Sequence, residues 1–320
     1  MVLASAMMCG VPACLVAQLN TSGTSSLPVS LSQSKEAVTR PNSARMRSAE
    51  NMPSNPNLPS LFIIGDSTVR NGQGRGDGGQ WGWGEFLAPY FDTNRLNVVN
   101  RALGGTSSRT FYRDQWPRVA ALLKPGDFVL LQFGHNDGGP INDTNRARGT
   151  FKGVGEETQA ITNLITKKFE EVHSFGWYER AIIAESRAKS ATPMVCSLIP
   201  RNNWRNGRAA RNQTDYAGWA GRVAAAEKVP FLDLNEIIAR QYDALGPDAV
   251  KALFIAGAGP HTSRAGAETN AACVIAALKG LKENPLAKFF SEKASGVAPS
   301  DLSQPGPAPA APARDKVEPE

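Results

Sequence analysis

Residues 61–68 read Leu-Phe-Ile-Ile-Gly-Asp-Ser-Thr, an apolar run that stops at a glycine and is followed at once by polar side chains. Four more short apolar runs occur further along the chain. Continuous apolar runs of this length are typical of strands that are buried on both faces of a sheet. The predicted strands are 61–65, 96–100, 127–133, 193–199 and 229–234.

Segments with helical spacing of apolar residues alternate with these strands. They lie at 83–90, 115–123, 177–189 and 215–228, and Ser263 can N-cap a last helix that reaches Leu281. This alternation predicts an α/β protein with a parallel sheet and helices on both faces. Ligands of such sheets bind outside the carboxyl ends of the strands, so the residues that follow each strand are the first candidates for a functional site.

Four positions stand where such a site would form. Ser67 follows the first strand, Gly105 the second and Asn136 the third, and His261 precedes the last helix. Taken singly, each could be a helix cap, a turn residue or a loop histidine. Taken together they supply a hydroxyl, amide donors and an imidazole, which are the groups that acyl transfer requires. Their order along the chain favours the catalytic interpretation.

Four sequence blocks carry a resemblance to a known family. They are Gly-Asp-Ser-Thr at 65–68, Gly-Trp-Gly-Glu at 82–85, Phe-Gly-His-Asn-Asp-Gly-Gly at 133–139 and Gly-Trp-Tyr at 176–178. With them the chain resembles the SGNH (GDSL) hydrolases and, more narrowly, rhamnogalacturonan acetylesterases. The resemblance implies a flavodoxin-like, three-layer α/β/α fold whose five-stranded parallel sheet has the order 2-1-3-4-5. It also implies an enzyme that removes acetyl groups from a pectic polysaccharide.

The same resemblance implies a role for each candidate residue. Ser67 would be the nucleophile and His261 the general base. The backbone N–H groups of Ser67 and Gly105 and the side-chain amide of Asn136 would form the oxyanion hole. The chemistry agrees, because a serine hydroxyl needs a base and the developing oxyanion needs donors aimed at it. No cluster of carboxylates and histidines has metal-ligand spacing, so we expect neither a metal nor another cofactor.

One position departs from the family pattern. The family has Asp-x-x-His near its end, whereas this chain has Ala258-Gly259-Pro260-His261. No carboxylate is therefore available at position 258 to orient the imidazole. Two interpretations stay open. In the first, a backbone carbonyl of this loop accepts the Nδ1 proton and the enzyme works with a Ser-His dyad. In the second, the chain is a noncatalytic polysaccharide-binding relative.

Basic and aromatic residues in the strand-end loops indicate the substrate. Arg109, Arg201 and Trp204 are the candidate substrate contacts, because guanidinium groups pair with carboxylates and an indole can stack on a sugar face. We expect the substrate to be an acetylated, anionic polysaccharide, and acetylated xylan is the alternative substrate. The basic residues could also be no more than a solvated rim that binds nothing. Neither a stripe of Lys and Arg nor a recognition-helix motif indicates nucleic acid.

Residue counts and the composition along the chain restrict the class of protein and predict its domain limits. The 320 residues include 35 Lys+Arg, 29 Asp+Glu, three His and four Cys, which gives a net charge of +6 and argues against a zinc finger or a disulfide framework. We expect a signal peptide at 1–17, a disordered linker at 18–58, one catalytic domain at 59–283 and a Pro/Ala-rich disordered tail at 284–320. The leader predicts a secreted or periplasmic protein without stable membrane insertion after cleavage, and we expect a monomer.

Overall fold

The computed structural model of this chain describes residues 51–304 and 306. Its central strands are β1 (Ser60–Gly65), β2 (Asn97–Asn100), β3 (Phe128–Gln132), β6 (Thr192–Cys196) and β9 (Phe231–Leu232). They form one parallel sheet in the order β2-β1-β3-β6-β9. Counted along the chain, the sheet strands have the order 2-1-3-4-5. The predicted α/β/α fold and all five predicted strands are therefore confirmed.

Alternate residues of the central strands enter two separate cores. Leu61, Ile63 and Leu130 pack on one face of the sheet, whereas Phe62 and Ile64 pack on the other. All five side chains are fully buried. Because both faces are covered, the strands carry unbroken apolar runs instead of an alternation of apolar and polar residues.

Seven α-helices of the described residues surround this sheet. They are α1 (Ser108–Asp114), α2 (Trp116–Ala120), α3 (Phe175–Ala188), α4 (Tyr216–Glu227), α5 (Leu234–Lys251), α6 (Arg264–Gly280) and α7 (Glu292–Ser295). Helices α1 to α4 contribute to the core that contains Phe62. Helices α5 and α6 contribute to the core that contains Leu61. The sheet therefore forms the middle of three layers.

Local sequence signals explain where the helix predictions differ from the structure. The predicted helix at 83–90 is two short 3-10 helices, Trp83–Phe86 and Ala88–Tyr90, because Pro89 cannot supply the N–H that a continuous helix needs. Helix α5 was not predicted. Gly246, with a φ of +79°, and Pro247 interrupt it and obscure its apolar spacing.

Two antiparallel hairpins extend the segments that follow β3 and β6. Strands β4 (Thr158–Thr162) and β5 (Phe169–His173) pair after β3, and β7 (Trp204–Arg205) pairs with β8 (Arg208–Ala209) after β6. Both insertions follow strands at their carboxyl ends, which is the edge where ligands bind in parallel sheets.

The predicted domain limits need correction at both ends. Residues 284–304 are not a disordered tail, because Leu286, Phe289 and Val297 are buried in the core against the sheet. At the other end, residues 51–58 belong to the fold: Asn51 donates to the carbonyl of Asn100 at 3.1 Å, and Arg101 donates to the carbonyl of Asn51 at 2.9 Å. The folded unit therefore spans at least residues 51–304 instead of 59–283.

The predicted signal peptide at 1–17 and residues 18–50 of the predicted linker lie outside the described residues, as do residue 305 and residues 307–320. Within the part of the chain that the structure describes, no helix is long and apolar enough to cross a bilayer.

A pair of leucines tests whether the C-terminal segment stabilises the fold. Leu286 is fully buried, whereas Leu302 is 40% exposed. Leu286→Ala should lower the free energy of unfolding by about 2–5 kcal/mol through lost burial and a residual cavity, and Leu302→Ala should change it by less than about 0.5 kcal/mol. Urea unfolding measures both values. Equal small effects of the two substitutions would show that the segment does not support the core.

Candidate active site

The structure brings together two residues that are far apart in the sequence. Ser67 lies just beyond β1, and His261 lies in the loop before α6. The Oγ atom of Ser67 is 2.9 Å from Nε2 of His261. Ser67 is buried and His261 is half-buried. A hydroxyl hydrogen-bonded to an imidazole nitrogen is the arrangement in which the base can remove the hydroxyl proton during nucleophilic attack.

Contacts of the next two residues hold the loop that carries His261 in place. The next residue, Thr262, accepts a hydrogen bond from the N–H of Trp81 at 3.0 Å and donates its hydroxyl to the carbonyl of Trp81 at 2.8 Å. Ser263 then caps α6 by accepting from the N–H of Gly266. His261 is therefore held between a pair of backbone contacts and a helix N-terminus.

The opposite nitrogen of this imidazole lacks a carboxylate partner. Among the described residues, no acceptor is hydrogen-bonded to Nδ1 of His261. The carbonyl of Ala258 instead accepts from the backbone N–H of His261, at 3.4 Å. Among the described residues, the structure therefore does not show the backbone carbonyl at Nδ1 that the dyad interpretation requires.

The loops after β2 and β3 meet beside Ser67. A Cβ atom on Gly104 would lie 3.5 Å from Cβ of Ser67, and Gly105 has a φ of +85°, which favours glycine. From the next loop, Nδ2 of Asn136 donates to the carbonyl of Thr106 at 2.7 Å. The structure thus gathers all four sequence-predicted positions, Ser67, Gly105, Asn136 and His261, at one edge of the sheet.

A buried carboxyl group ties these two loops to each other. Asp137 accepts from the N–H and the hydroxyl of Ser108, at 3.0 and 2.5 Å, and from the N–H of Gly134 at 3.1 Å. Burial raises the pKa of Asp137 to about 7. Asp66 likewise accepts from the N–H and hydroxyl of Thr68, and burial raises its pKa to about 6. Sequence reasoning missed both residues, although each lies beside a predicted catalytic position.

Burial and a neighbouring charge both favour the neutral form of His261. Burial lowers the pKa of His261, and the positive charge of Arg201 lowers it further. His135 is affected in the same direction more strongly, and burial together with Arg201 and His261 lowers its pKa to about 3. Arg201, one of the predicted substrate contacts, thus lies close enough to influence the imidazole that faces Ser67.

The structure corrects the prediction for Arg109. Its side chain is fully buried and pairs with Glu170, with Nε 2.7 Å from Oε1. Its Nη1 atom also donates to the carbonyls of Ile141 and Gly149. A guanidinium with all these partners braces the loop after β3 and has no surface to offer a substrate.

Trp204 has a more open setting. It is half-buried beside the core, and its indole N–H donates to Oδ1 of Asn202 at 2.7 Å. A sugar contact at Trp204 stays a prediction.

Two arginines near the site were not singled out by the sequence. Nη1 of Arg148 donates to the carbonyl of Gly105 at 2.8 Å. A Cβ atom on Gly105 would lie 3.5 Å from Nη1 of Arg146. Only the tertiary contact with Gly105 distinguishes these arginines from others on loops. Within residues 51–304, no group of three or more His, Cys, Asp or Glu side chains could hold a metal ion.

Comparison with known proteins agrees with this fold. The model of the GDSL-like Lipase/Acylhydrolase family matches residues 63–268, which is more than half of the chain. The chain belongs to this family. The GDSL-like acylhydrolase described here is accordingly a carboxylic-ester hydrolase.

Individual relatives are similar over much of this GDSL-like acylhydrolase. It is 29% identical to Rhamnogalacturonan acetylesterase of Emericella nidulans over 61% of this chain and 75% of the relative. It is also 29% identical to Probable rhamnogalacturonan acetylesterase YesY of Bacillus subtilis, over 70% of this chain and 92% of the relative. The crystal structure of YxiM from Bacillus subtilis superposes with a TM-score of 0.56 at 25% identity, over 70% of this chain and 56% of that chain. The chain thus spans just over half the length of YxiM.

Removing the charge at position 201 tests the electrostatics of the site. Arg201→Gln should raise the pKa of His261. The guanidinium charge of the wild-type protein disfavours protonation of the imidazole, and the substitution removes that charge. An NMR titration of the histidine rings measures the change. His173 is the internal control, since its charged neighbours are Glu171 and Glu156 instead of Arg201. An unchanged pKa at His261 would contradict this placement of Arg201.

Proposed function

We propose that this acylhydrolase is a secreted or periplasmic O-acetylesterase that removes acetyl groups from a pectic polysaccharide, rhamnogalacturonan, through an acyl-serine intermediate. The names of its two relatives from Emericella nidulans and Bacillus subtilis support this substrate class. The contact between Ser67 Oγ and His261 Nε2, at 2.9 Å, carries the proposed mechanism.

The proposed reaction has two steps, acylation of Ser67 and its deacylation by water, and His261 acts as the base in both. Nε2 of His261 accepts the hydroxyl proton while Oγ of Ser67 bonds to the acetyl carbonyl carbon. The N–H groups of Ser67 and Gly105 and the amide of Asn136 stabilise the oxyanion. The sugar oxygen then leaves with the proton from Nε2. A water molecule attacks the acetyl-serine in the same way, acetate leaves, and Ser67 regains its proton.

The absence of an acidic residue at position 258 lowers the rate of ester hydrolysis that we expect. A carboxylate at Nδ1 normally stabilises the imidazolium that forms during the reaction. Here burial and Arg201 favour the neutral base and disfavour the imidazolium. We therefore expect hydrolysis of activated esters that is measurable but slower than that of an enzyme with a complete triad.

One observation defines the result that would overturn the proposed esterase. Because Nδ1 of His261 has no carboxylate partner among the described residues, binding of the polysaccharide without hydrolysis would assign this chain a binding function instead. Release of acetate separates the two functions. Hydrolysis of acetylated xylan in preference to acetylated rhamnogalacturonan would keep the esterase and change its substrate.

Replacing the nucleophile tests the proposed mechanism. The wild-type protein should release acetate from acetylated rhamnogalacturonan with a higher kcat/KM than from acetylated xylan. Ser67→Ala should lower kcat by a factor on the order of 10⁴ or more, because loss of the nucleophile removes the acyl-enzyme route. Ser295→Ala, at an exposed serine of α7, is the matched control. A wild-type protein that binds the polysaccharide but releases no acetate would support the binding function instead.

Restoring an acid at position 258 tests the incomplete triad. Ala258 lies between Gly257 and Gly259, whose φ values are +70° and +67°, in the tight turn before His261. Ala258→Asp should raise kcat for an aryl acetate, by at most about 10⁴-fold, if its carboxylate reaches Nδ1. Ala256→Asp adds the same charge at an exposed position of the same loop and serves as control. Equal kcat values for the two variants would show that the loop cannot present an acid to His261.

A further inference from the structure

Two arginine side chains converge on the turn that follows β2. A Cβ atom on Gly105 would lie 3.5 Å from Nη1 of Arg146 and 3.9 Å from Nη1 of Arg148. Both arginines come from the loop at 140–149, which follows β3. They therefore lie beside the turn whose N–H is a proposed oxyanion donor, and Arg146 is exposed.

Hydrogen bonds hold the backbone of the turn that carries these two arginines. Oδ1 of Asp143 accepts from the backbone N–H groups of Arg146 and Ala147, at 2.7 and 2.5 Å. Ala147 lies between the two arginines, is buried, and has a left-handed φ of +41°. Such a conformation is unfavourable for a non-glycine residue and tends to occur at functional sites. The turn and its Asp143 cap thus fix the backbone from which both arginine side chains extend.

The charges of this pair are not neutralised by an ion pair. No carboxylate of the described residues lies within ion-pair distance of Arg146 or Arg148. Arg109, in contrast, pairs with Glu170. Burial lowers the pKa of Arg148, and the charge of Arg146 lowers it further, whereas the carboxyl groups of Asp137, Asp66 and Asp143 act in the opposite direction. Two like charges held side by side favour an anion as their third partner.

We propose that Arg146 and Arg148 form a carboxylate-binding subsite that recognises a uronate of the polysaccharide chain close to the acetyl ester. Guanidinium groups match the planar geometry of a carboxylate and can bind both of its oxygens. Because both guanidinium groups lie beside the Gly105 turn, the bound carboxylate lies at the same edge of the sheet as the reacting carbonyl. This inference rests on the proposed function for the location of the ester, but the subsite itself is testable without hydrolysis.

The two arginines contribute differently. Arg148 is half-buried and donates to the carbonyl of Gly105 at 2.8 Å, so it also positions that turn. Arg146 is exposed, and its guanidinium makes no hydrogen bond or ion pair within residues 51–304. Arg146 is therefore the residue at which the subsite can be tested with the least disturbance of the Gly105 turn.

Direct binding of trigalacturonate, a probe without acetyl groups, tests the subsite. Calorimetric titration of the full-length wild-type protein should show that trigalacturonate binds about tenfold more tightly than its fully methyl-esterified form, a difference of about 1.4 kcal/mol. Arg146→Gln should remove this preference, and Arg146→Lys should retain part of it. Arg222→Gln, at an exposed arginine of α4, should keep the wild-type preference. Higher salt should reduce the preference, because it screens exposed charges.

The other possible results of this titration would contradict the proposed subsite. Equal affinity of the wild-type protein for the two probes, or binding of neither, would show that no uronate carboxylate is recognised. A preference that persists in Arg146→Gln would place the recognition elsewhere, and circular dichroism would establish that the variant is folded. Failure of the proposed function has a different signature, because the carboxylate preference would then persist while acetylated rhamnogalacturonan is not hydrolysed.

Discussion

Parallel pairing of five buried strands is the constraint on which the candidate site depends. Both faces of the sheet are covered by apolar cores, so polar side chains are placed where the strands end. The carboxyl ends of β1, β2 and β3 lie side by side, and Ser67, Gly105 and Asn136 follow them within a few residues. His261 reaches the same edge through the loop before α6, across 194 residues of sequence.

Buried polar groups keep these strand-end loops in register. A buried carboxyl group is costly unless hydrogen bonds replace its lost hydration. Asp137 meets this requirement through Ser108 after β2 and Gly134 after β3. Asn136 adds a second link through the carbonyl of Thr106. The same contacts that offset the burial of Asp137 therefore fix the distance between the two loops that carry the proposed oxyanion donors.

Charge is distributed unevenly around this edge. Arg109 is neutralised by Glu170 inside the loop after β3, whereas Arg146, Arg148 and Arg201 surround the Ser67 edge without a carboxylate at ion-pair distance among the described residues. Unpaired guanidinium groups raise the local positive potential and attract anions. The positive charge of Arg201 also lowers the pKa of His261, and among the described residues no acid at Nδ1 stabilises its protonated form.

The sequence by itself determined the parallel sheet, its five strands and the four positions that converge at its edge, because apolar runs and the residues after them are local signals. Its resemblance to a family supplied the strand order and the roles proposed for Ser67 and His261. Only the tertiary structure decided that Arg109 is buried, that Arg146 and Arg148 meet the Gly105 turn, that Nδ1 of His261 lacks a partner among the described residues, and that residues 284–304 join the core. These features depend on contacts between segments distant in the chain, and the local pattern around an arginine, a histidine or a proline-rich segment does not encode which partner it meets.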